Sequence, residues 1–311
     1  MITIFKSNKN PDFIGDIHGH LPDLERLFLK LGYEKKEGIY IHKERIPVFL
    51  GDYINRGPDI LGVLKLVRDM QLSGNAYALM GNHEFNFLAY HFKDENNEPF
   101  RPNTERYYGY IRETKDPLEK HNLLETYLEW MSNLPLIIKS DSFNAVHAQW
   151  NQKLELELKK SGIEKIDQDG MRKIHLNSTL LESVSSVVKG SEYKITEFFI
   201  DKYNFDYRQP FERIVWWKNS RSNKIMDWLD VDPINHPILI DRSDFAMIED
   251  YDDLNKPTFF GHYWLDSKNI GIITENLCCL DYSVAKGGVI GAYSFDGEIK
   301  LANAKIAHSK E

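Results

Sequence analysis

The chain has 311 residues, 42% of them hydrophobic, and a formal net charge of −8 at pH 7. It holds enough apolar material for a sizeable core, which excludes a disordered chain, and its acidic balance argues against a surface for nucleic-acid polymers, which normally needs a basic face. The two cysteines, Cys278 and Cys279, are neighbours, so no framework of spaced disulfides exists and a reducing, cytoplasmic setting is expected. The first residues lack the pattern of a signal peptide, and no apolar run is long enough for a bilayer, so no membrane partner is expected.

Residues 12–14 form a short strand-like run. Residues 21–31 then carry Leu24, Leu27, Phe28 and Leu31 at helical spacing, with Pro22 near the start and Gly32 past the end. Residues 38–42 and 46–50 read as strands, 58–72 as a helix closed near Gly74, 77–80 as a strand and 84–92 as a helix. This alternation implies a largely parallel sheet with right-handed crossovers. Residues 93–133 are charged and contain one helix, about 117–131; residues 136–138 and 143–147 return to strand character. From 151 to 255 the chain is charged, mostly helical in pattern and rich in aromatics between Tyr193 and Trp228, which predicts an insertion or cap within a single domain spanning 1–311. Residues 258–261, 277–280, 288–295 and 298–301 read as strands, with Asp296-Gly297 as a tight turn between the last two.

Four apolar runs end in glycine followed by a metal-ligand side chain: Phe13-Ile14-Gly15-Asp16, Phe49-Leu50-Gly51-Asp52, Leu79-Met80-Gly81-Asn82 and Phe259-Phe260-Gly261-His262. Glycine lets the chain turn sharply, so each ligand projects from a strand's C-terminal edge, where open α/β sheets bind ligands. A fifth strand, Asn144-Ala145-Val146-His147, ends in histidine without the glycine. Carboxylate, amide oxygen and imidazole without thiolate suit Mn²⁺, Fe and Zn²⁺.

Gly15-Asp16-Ile17-His18-Gly19, then Gly51-Asp52-Tyr53-Ile54-Asn55-Arg56-Gly57, then Gly81-Asn82-His83-Glu84 resemble, in order and spacing, the three signature blocks of the phosphoprotein-phosphatase branch of calcineurin-like metallophosphoesterases. His147 and His262 stand where that family keeps two later histidines. The resemblance covers the first 150 residues, is weak in the middle and resumes near residue 257. It implies an α/β fold of two packed mixed β-sheets flanked by helices, with a mostly helical insertion. It also implies two divalent metal ions, Mn first, with Fe or Zn as alternatives. Asp16 and His18 would hold one ion, Asn82, His147 and His262 the other, and Asp52 would bridge. A hydroxide between the ions would attack phosphorus in line, Arg56 would grip phosphate oxygens and His83 would protonate the leaving oxygen.

One position departs from the family pattern, which has Asp where this chain has Asn55. The amide brings no charge to stabilise an imidazolium, so His83 should be less often protonated near neutral pH. That favours anhydrides or activated esters over alkyl phosphates. Leu280-Asp281-Tyr282-Ser283-Val284-Ala285-Lys286-Gly287-Gly288 is similar to a block of bacterial diadenosine tetraphosphatases. The expected substrates are therefore dinucleoside polyphosphates or similar small phosphorylated molecules. The alternatives are a serine/threonine protein phosphatase acting on phosphoproteins and a catalytically dead binding module of the same fold.

Several residues admit plainer readings. Asn82 could be the N-cap of the helix that follows, and His147 alone in an apolar strand would be a core histidine. Arg221 is a candidate second phosphate-binding arginine by the family's general pattern. Trp216, Trp217, Tyr203, Tyr207 and Phe211 could stack an adenine ring but fit better as the core of a cap. His20, His42, His91, His121, His175, His236 and His308 are expected on the surface, and Cys278 and Cys279 as inert strand residues.

Overall fold

The computed structural model describes residues 1–101, 105–194, 211–217 and 255–310. The chain begins with β1 (Ile2–Ile4), β2 (Asn10–Ile14), α1 (Leu21–Lys30), a small hairpin of β3 (Glu34–Lys36) and β4 (Ile39–Ile41), β5 (Arg45–Phe49), α2 (Ile60–Leu72), β6 (Tyr77–Ala78) and α3 (Asn82–His91). It continues through α4 (Glu105–Lys120), α5 (Leu124–Ser132), β7 (Ile137–Lys139), β8 (Asn144–Val146), α6 (Gln152–Lys160), α7 (Gln168–His175) and α8 (Ser178–Lys189). The last strands are β9 (Glu192–Lys194), β10 (Phe211–Arg213), β11 (Thr258–Phe260), β12 (Leu277–Cys279), β13 (Asp281–Tyr282), β14 (Val289–Ser294) and β15 (Ile306–His308). None of the described helices is long and apolar enough to cross a membrane.

Two mixed sheets result. One has the order β1-β7-β8-β11-β12, parallel except between β7 and β8. The other has the order β13-β14-β2-β5-β6, with β2, β5 and β6 parallel, β14 antiparallel to β2, and β15 on β14.

The two-residue period of the strands builds the layers. Phe13, Val48, Leu50, Leu79, Ile138, Ala145, Phe259 and Cys278 meet between the sheets, while Ile14, Phe49, Met80, Ile137, Val146, Phe260 and Cys279 point the other way into the helix-facing core. At the centre Phe13 stacks on Phe259 across the sheets, ring centroids 3.7 Å apart. Strands buried on both faces read as continuous apolar runs, as these do. Outside them, α1 buries Leu24, Leu27 and Phe28 and carries Asp23 in its first turn and Lys30 in its last, matching the helix dipole. In the middle region, α6, α7 and α8 are each capped by a side chain, from Asn151, Asp167 and Asn177, consistent with the helical pattern expected there.

Two expectations need correction. The single helix at about 117–131 is two, α4 and α5. Pro117 lies within α4, near its end, and the break comes where Asn122 adopts φ 55°. The polar stretch before Pro117 hides its helix because, among the residues whose burial is described there, Ile111 and Thr114 alone are buried. The expected strand at 298–301 does not form; β14 instead pairs with β15. The turn at Gly297 is real (φ 92°), but Leu301 sinks into the inter-sheet core, and the Tyr293 hydroxyl donates to Glu298 and accepts from the Ala302 N–H, so the chain loops before returning.

Candidate metal centre

Asp16 and His18 follow β2, Asp52 follows β5 and Asn82 follows β6 of one sheet; His147 and His262 follow β8 and β11 of the other. The six expected ligands therefore meet where the C-terminal edges of both sheets converge. The glycines act partly by a different means from the one expected. Gly51 does take a positive φ of 106°, but Gly81 and Gly261 do not. A Cβ on Gly81 would lie 2.2 Å from Asp52 Oδ1, and one on Gly261 would lie 2.1 Å from Asp16 Oδ1. Those two positions are bare so that the carboxylates have room. Gly81 is also the N-cap of α3, which makes Asn82 its first residue rather than its cap.

Asp52 sits centrally. Its Oδ1 is 3.4 Å from His147 Nε2, and its Oδ2 is 3.5 Å from His18 Nε2 and 3.9 Å from His83 Nε2. Asn82 Oδ1 lies 3.1 Å from His147 Nε2 and 2.8 Å from His262 Nδ1. His18 and His147 each turn Nδ1 towards a backbone carbonyl, of Ile54 (3.0 Å) and Leu50 (2.7 Å), which fixes the ring and aims Nε2 at the site. Two groups, His18 with Asp52 and His83, and Asp52 with His147 and His262, bring ligand atoms within 4.8 Å of one another and share Asp52. Asp16 Oδ2, His18 Nε2 and His262 Nε2 are buried with no hydrogen-bond partner. Buried polar atoms normally find partners, and Asp16 Oδ2 and His18 Nε2, 3.9 Å apart and both without one, suit a cation.

The groups around the ligands are equally ordered. Glu84 is fully buried and accepts from the N–H groups of Asp52, Tyr53 and Gly81 at 2.9, 2.9 and 3.0 Å, so one carboxylate holds the Asp52 loop against the start of α3. The Thr114 hydroxyl of α4 donates to Asn55 Oδ1 (2.6 Å), and Asn55 Nδ2 donates to His83 Nδ1 (2.7 Å). His83 Nδ1 must therefore accept, and the ring's one proton sits on Nε2, on the Asp52 side. The Arg56 guanidinium packs on the Trp264 ring at 4.3 Å, and its Nη1 is buried without a partner. Arg213, on β10, donates to the His262 carbonyl at 2.9 Å. Thr114 and Arg213 were not legible from sequence, since only long-range folding brings them here, and Trp264, though near His262 in sequence, carried no motif.

Backbone strain concentrates at the site. Of the ten non-glycine residues with positive φ among those described, six are His18, Asp52, Asn55, Arg56, His262 and Trp264. Such conformations cost about 1–3 kcal/mol each and persist where surrounding contacts enforce them.

The electrostatics follow from burial. Asp16 is pushed well above the usual carboxylate range by burial and by Asp281 and Asp52. For Asp52 burial acts the same way, but His147, His83 and His18 outweigh it and hold the carboxyl well below that range. His147 is raised to about 10, because Asp52 and Asp16 overcome the burial penalty. His83 is lowered to about 3, by burial and by the charges of His18, Arg56 and His147 against the pull of Asp52. His18 and His262 are also lowered by burial, His262 further by Arg213.

Other expectations resolve as follows. Arg221, His236, Tyr203 and Tyr207 lie outside the described residues. Trp216 is buried, donates to the Ala148 carbonyl and packs with Trp217 against Phe260 of β11, so both support the strand that carries His262. Of the histidines expected on the surface, only His121 is exposed among those described. His20, His42, His91, His175 and His308 are half-buried, and His91 packs on Phe87. They escape sequence reading because an imidazole covers apolar surface as readily as it meets water. Cys278 and Cys279 are fully buried free thiols, both pushed up by burial.

A sandwich of two mixed sheets with carboxylate, amide and imidazole ligands at their joint edge defines the calcineurin-like phosphoesterases. That family's profile matches residues 12–225, and the chain belongs to it. Over 73 residues, 23% of the chain, it is 49% identical to an asymmetrical bis(5'-nucleosyl)-tetraphosphatase of Oceanobacillus iheyensis and 40% identical to that of Bacillus subtilis. The matched segments are 29% and 30% of those proteins, so the similarity spans under a third of the curated relatives. A cold-active protein-tyrosine phosphatase of a psychrophilic Shewanella shares the fold, with a TM-score of 0.55 at 15% identity over 99% of this chain and 82% of that one.

Proposed function

We propose that the chain is a metal-dependent phosphohydrolase that cleaves phosphoanhydrides in dinucleoside polyphosphates or similar small phosphorylated molecules. Asp16 and His18 would hold one ion, Asn82, His147 and His262 a second, and Asp52 both. The donor set suits Mn²⁺, then Fe or Zn²⁺. Bound there, the ions supply charge to phosphoryl oxygens and acidity to water. Arg56 binds phosphate oxygens through its planar fork, and Arg213 adds charge beside His262. Arg213 also supports the reading of 151–255 as an insertion bordering the site. Two buried, reduced thiols suit a cytoplasmic setting.

The observation that carries the substrate reading is the hydrogen-bond chain Thr114–Asn55–His83. A neutral imidazole with its proton on Nε2 can donate a hydrogen bond to a leaving oxygen. Giving that proton up completely would leave an imidazolate. Such a group serves a leaving nucleotide phosphate, which is already a stable anion, and serves a serine alkoxide poorly. The relatives' tetraphosphatase activity agrees with this, and the protein-phosphatase reading would require an imidazolium that Asn55 does not support. A complete ligand set speaks against a binding-only module.

The test is a Mn²⁺-supplied panel of diadenosine tetraphosphate, an aryl phosphate and a phosphoserine peptide. The tetraphosphate should be preferred, and its hydrolysis should be lost in Asp52→Asn and His83→Ala. Preference for the peptide would overturn the substrate reading, and a protein that takes up no metal would overturn the enzymatic one.

A further inference from the structure

Trp264 carries a second cation besides Arg56. Lys286 Nζ lies 3.5 Å from the centroid of the same indole ring. Lys286 belongs to the sequence block after β12, from which no proposed metal ligand comes. The arrangement is built rather than incidental. Trp264 adopts φ 53°, an uncommon conformation for a bulky side chain. Asp281, itself buried, accepts from the Trp264 N–H at 2.8 Å and from the Ser283 N–H at 2.9 Å. The Leu265 N–H donates to the Asp281 carbonyl (2.8 Å), and the Ser283 hydroxyl donates to the Leu265 carbonyl (3.1 Å). The segment after His262 and the turn leading to Lys286 are thus laced into one unit, which places Trp264 and Lys286 side by side in advance.

We propose that Arg56, Trp264 and Lys286 form a subsite for a second phosphoryl group, joined by an anhydride to the one being cleaved. This deepens the proposed phosphohydrolase reading and rests on it. Arg56 adjoins Asn55, which touches His83, and Trp264 stands two residues past His262, so the subsite borders the metal centre. Both cations rest on one indole, and the unpartnered Arg56 Nη1 offers a further donor to an anion. A monoester presents one phosphoryl group and leaves Lys286 unused. A polyphosphate chain reaches it. Because the lacing holds the subsite before ligand arrives, little ordering is lost on binding.

The test measures binding, independent of turnover. Mn²⁺-loaded protein is titrated calorimetrically, at fixed free Mn²⁺, with methylenediphosphonate and with orthophosphate. The wild type should bind the diphosphonate about tenfold more tightly. Lys286→Gln should reduce that preference to about twofold or less, and Lys286→Arg should retain it. A preference that survives Lys286→Gln, or equal weakening of both probes, overturns the proposal. So does a Lys286→Gln loss confined to a phosphoserine peptide flanked by acidic residues, since the bound anion would then be a carboxylate. Failure of the wild type to hydrolyse any phosphoester is a separate result and overturns the functional reading instead.

Discussion

Replacing Asn55 with Asp puts a charge beside His83, the proposed general acid, as the family resemblance would have it. The amide now donates to His83 Nδ1, and the ring titrates at about 3, so at pH 7 only about 1 ring in 10⁴ is an imidazolium. A carboxylate cannot donate; it demands an Nδ1–H and favours the charged ring. An adjacent opposite charge raises such a pKa by about 1–3 units, which moves the protonated fraction at pH 7 to between about 1 in 10³ and 1 in 10. Thr114 still donates to the retained oxygen, so the new carboxylate stays oriented. Hydrolysis of a phosphoserine peptide should rise at least about tenfold in kcat/KM, and tetraphosphate hydrolysis should change by less than about threefold. Both are measured from pH 5.5 to 8. Equal gains on both substrates, or none on the peptide, would refute the assignment of Asn55 as the specificity determinant.

Metal binding should release at least one proton, because His147, raised to about 10, is charged at pH 7 in the metal-free protein and must give up that proton to coordinate; affinity should climb about tenfold per pH unit below that value, and calorimetry in two buffers of different ionisation enthalpy counts the protons. Gly261→Ala drives a methyl group against Asp16 Oδ1, so bound metal should fall from about two ions to about one per chain by elemental analysis, with the circular dichroism of the fold retained. Thr114→Val leaves the buried Asn55 Oδ1 without its donor and should cost about 1–3 kcal/mol in urea unfolding, while Thr114→Ser should not. The same Val variant frees the amide to rotate its oxygen towards His83, so the peptide-to-tetraphosphate activity ratio should rise.

Five of the six proposed metal ligands were legible from local information, an apolar strand followed by a donor side chain, while His18 came from the family resemblance. The two-sheet sandwich came from the family resemblance; the order of elements by itself implied one largely parallel sheet, and the alternation of Phe13 with Ile14, or Phe259 with Phe260, shows its two faces only once the strands are paired. What escaped was set by distance in sequence. Thr114 sits on a helix whose charged surface conceals it, yet it orients a residue 59 positions earlier. Glu84 was readable as a letter of a signature block, but its task of gathering three N–H groups depends on how the Asp52 loop folds over it. Trp264 gave no periodic signal because its position is defined by a left-handed backbone and a carboxylate from another strand. The tail was misread where a turn signal was correct but the returning strand began later.

The proposed ligand side chains divide between the sheets: Asp16, His18, Asp52 and Asn82 come from one, His147 and His262 from the other. Neither sheet alone carries a complete centre. A nascent or partly unfolded chain with only one sheet formed would hold an incomplete set of donors, so hydrolytic competence becomes a report on whether the sandwich has closed. Since Phe13 and Phe259, the rings stacked across the interface, lie just upstream of Asp16 and His262, a cavity cut there would be felt at the reacting end of the molecule before the rest of the fold gave way.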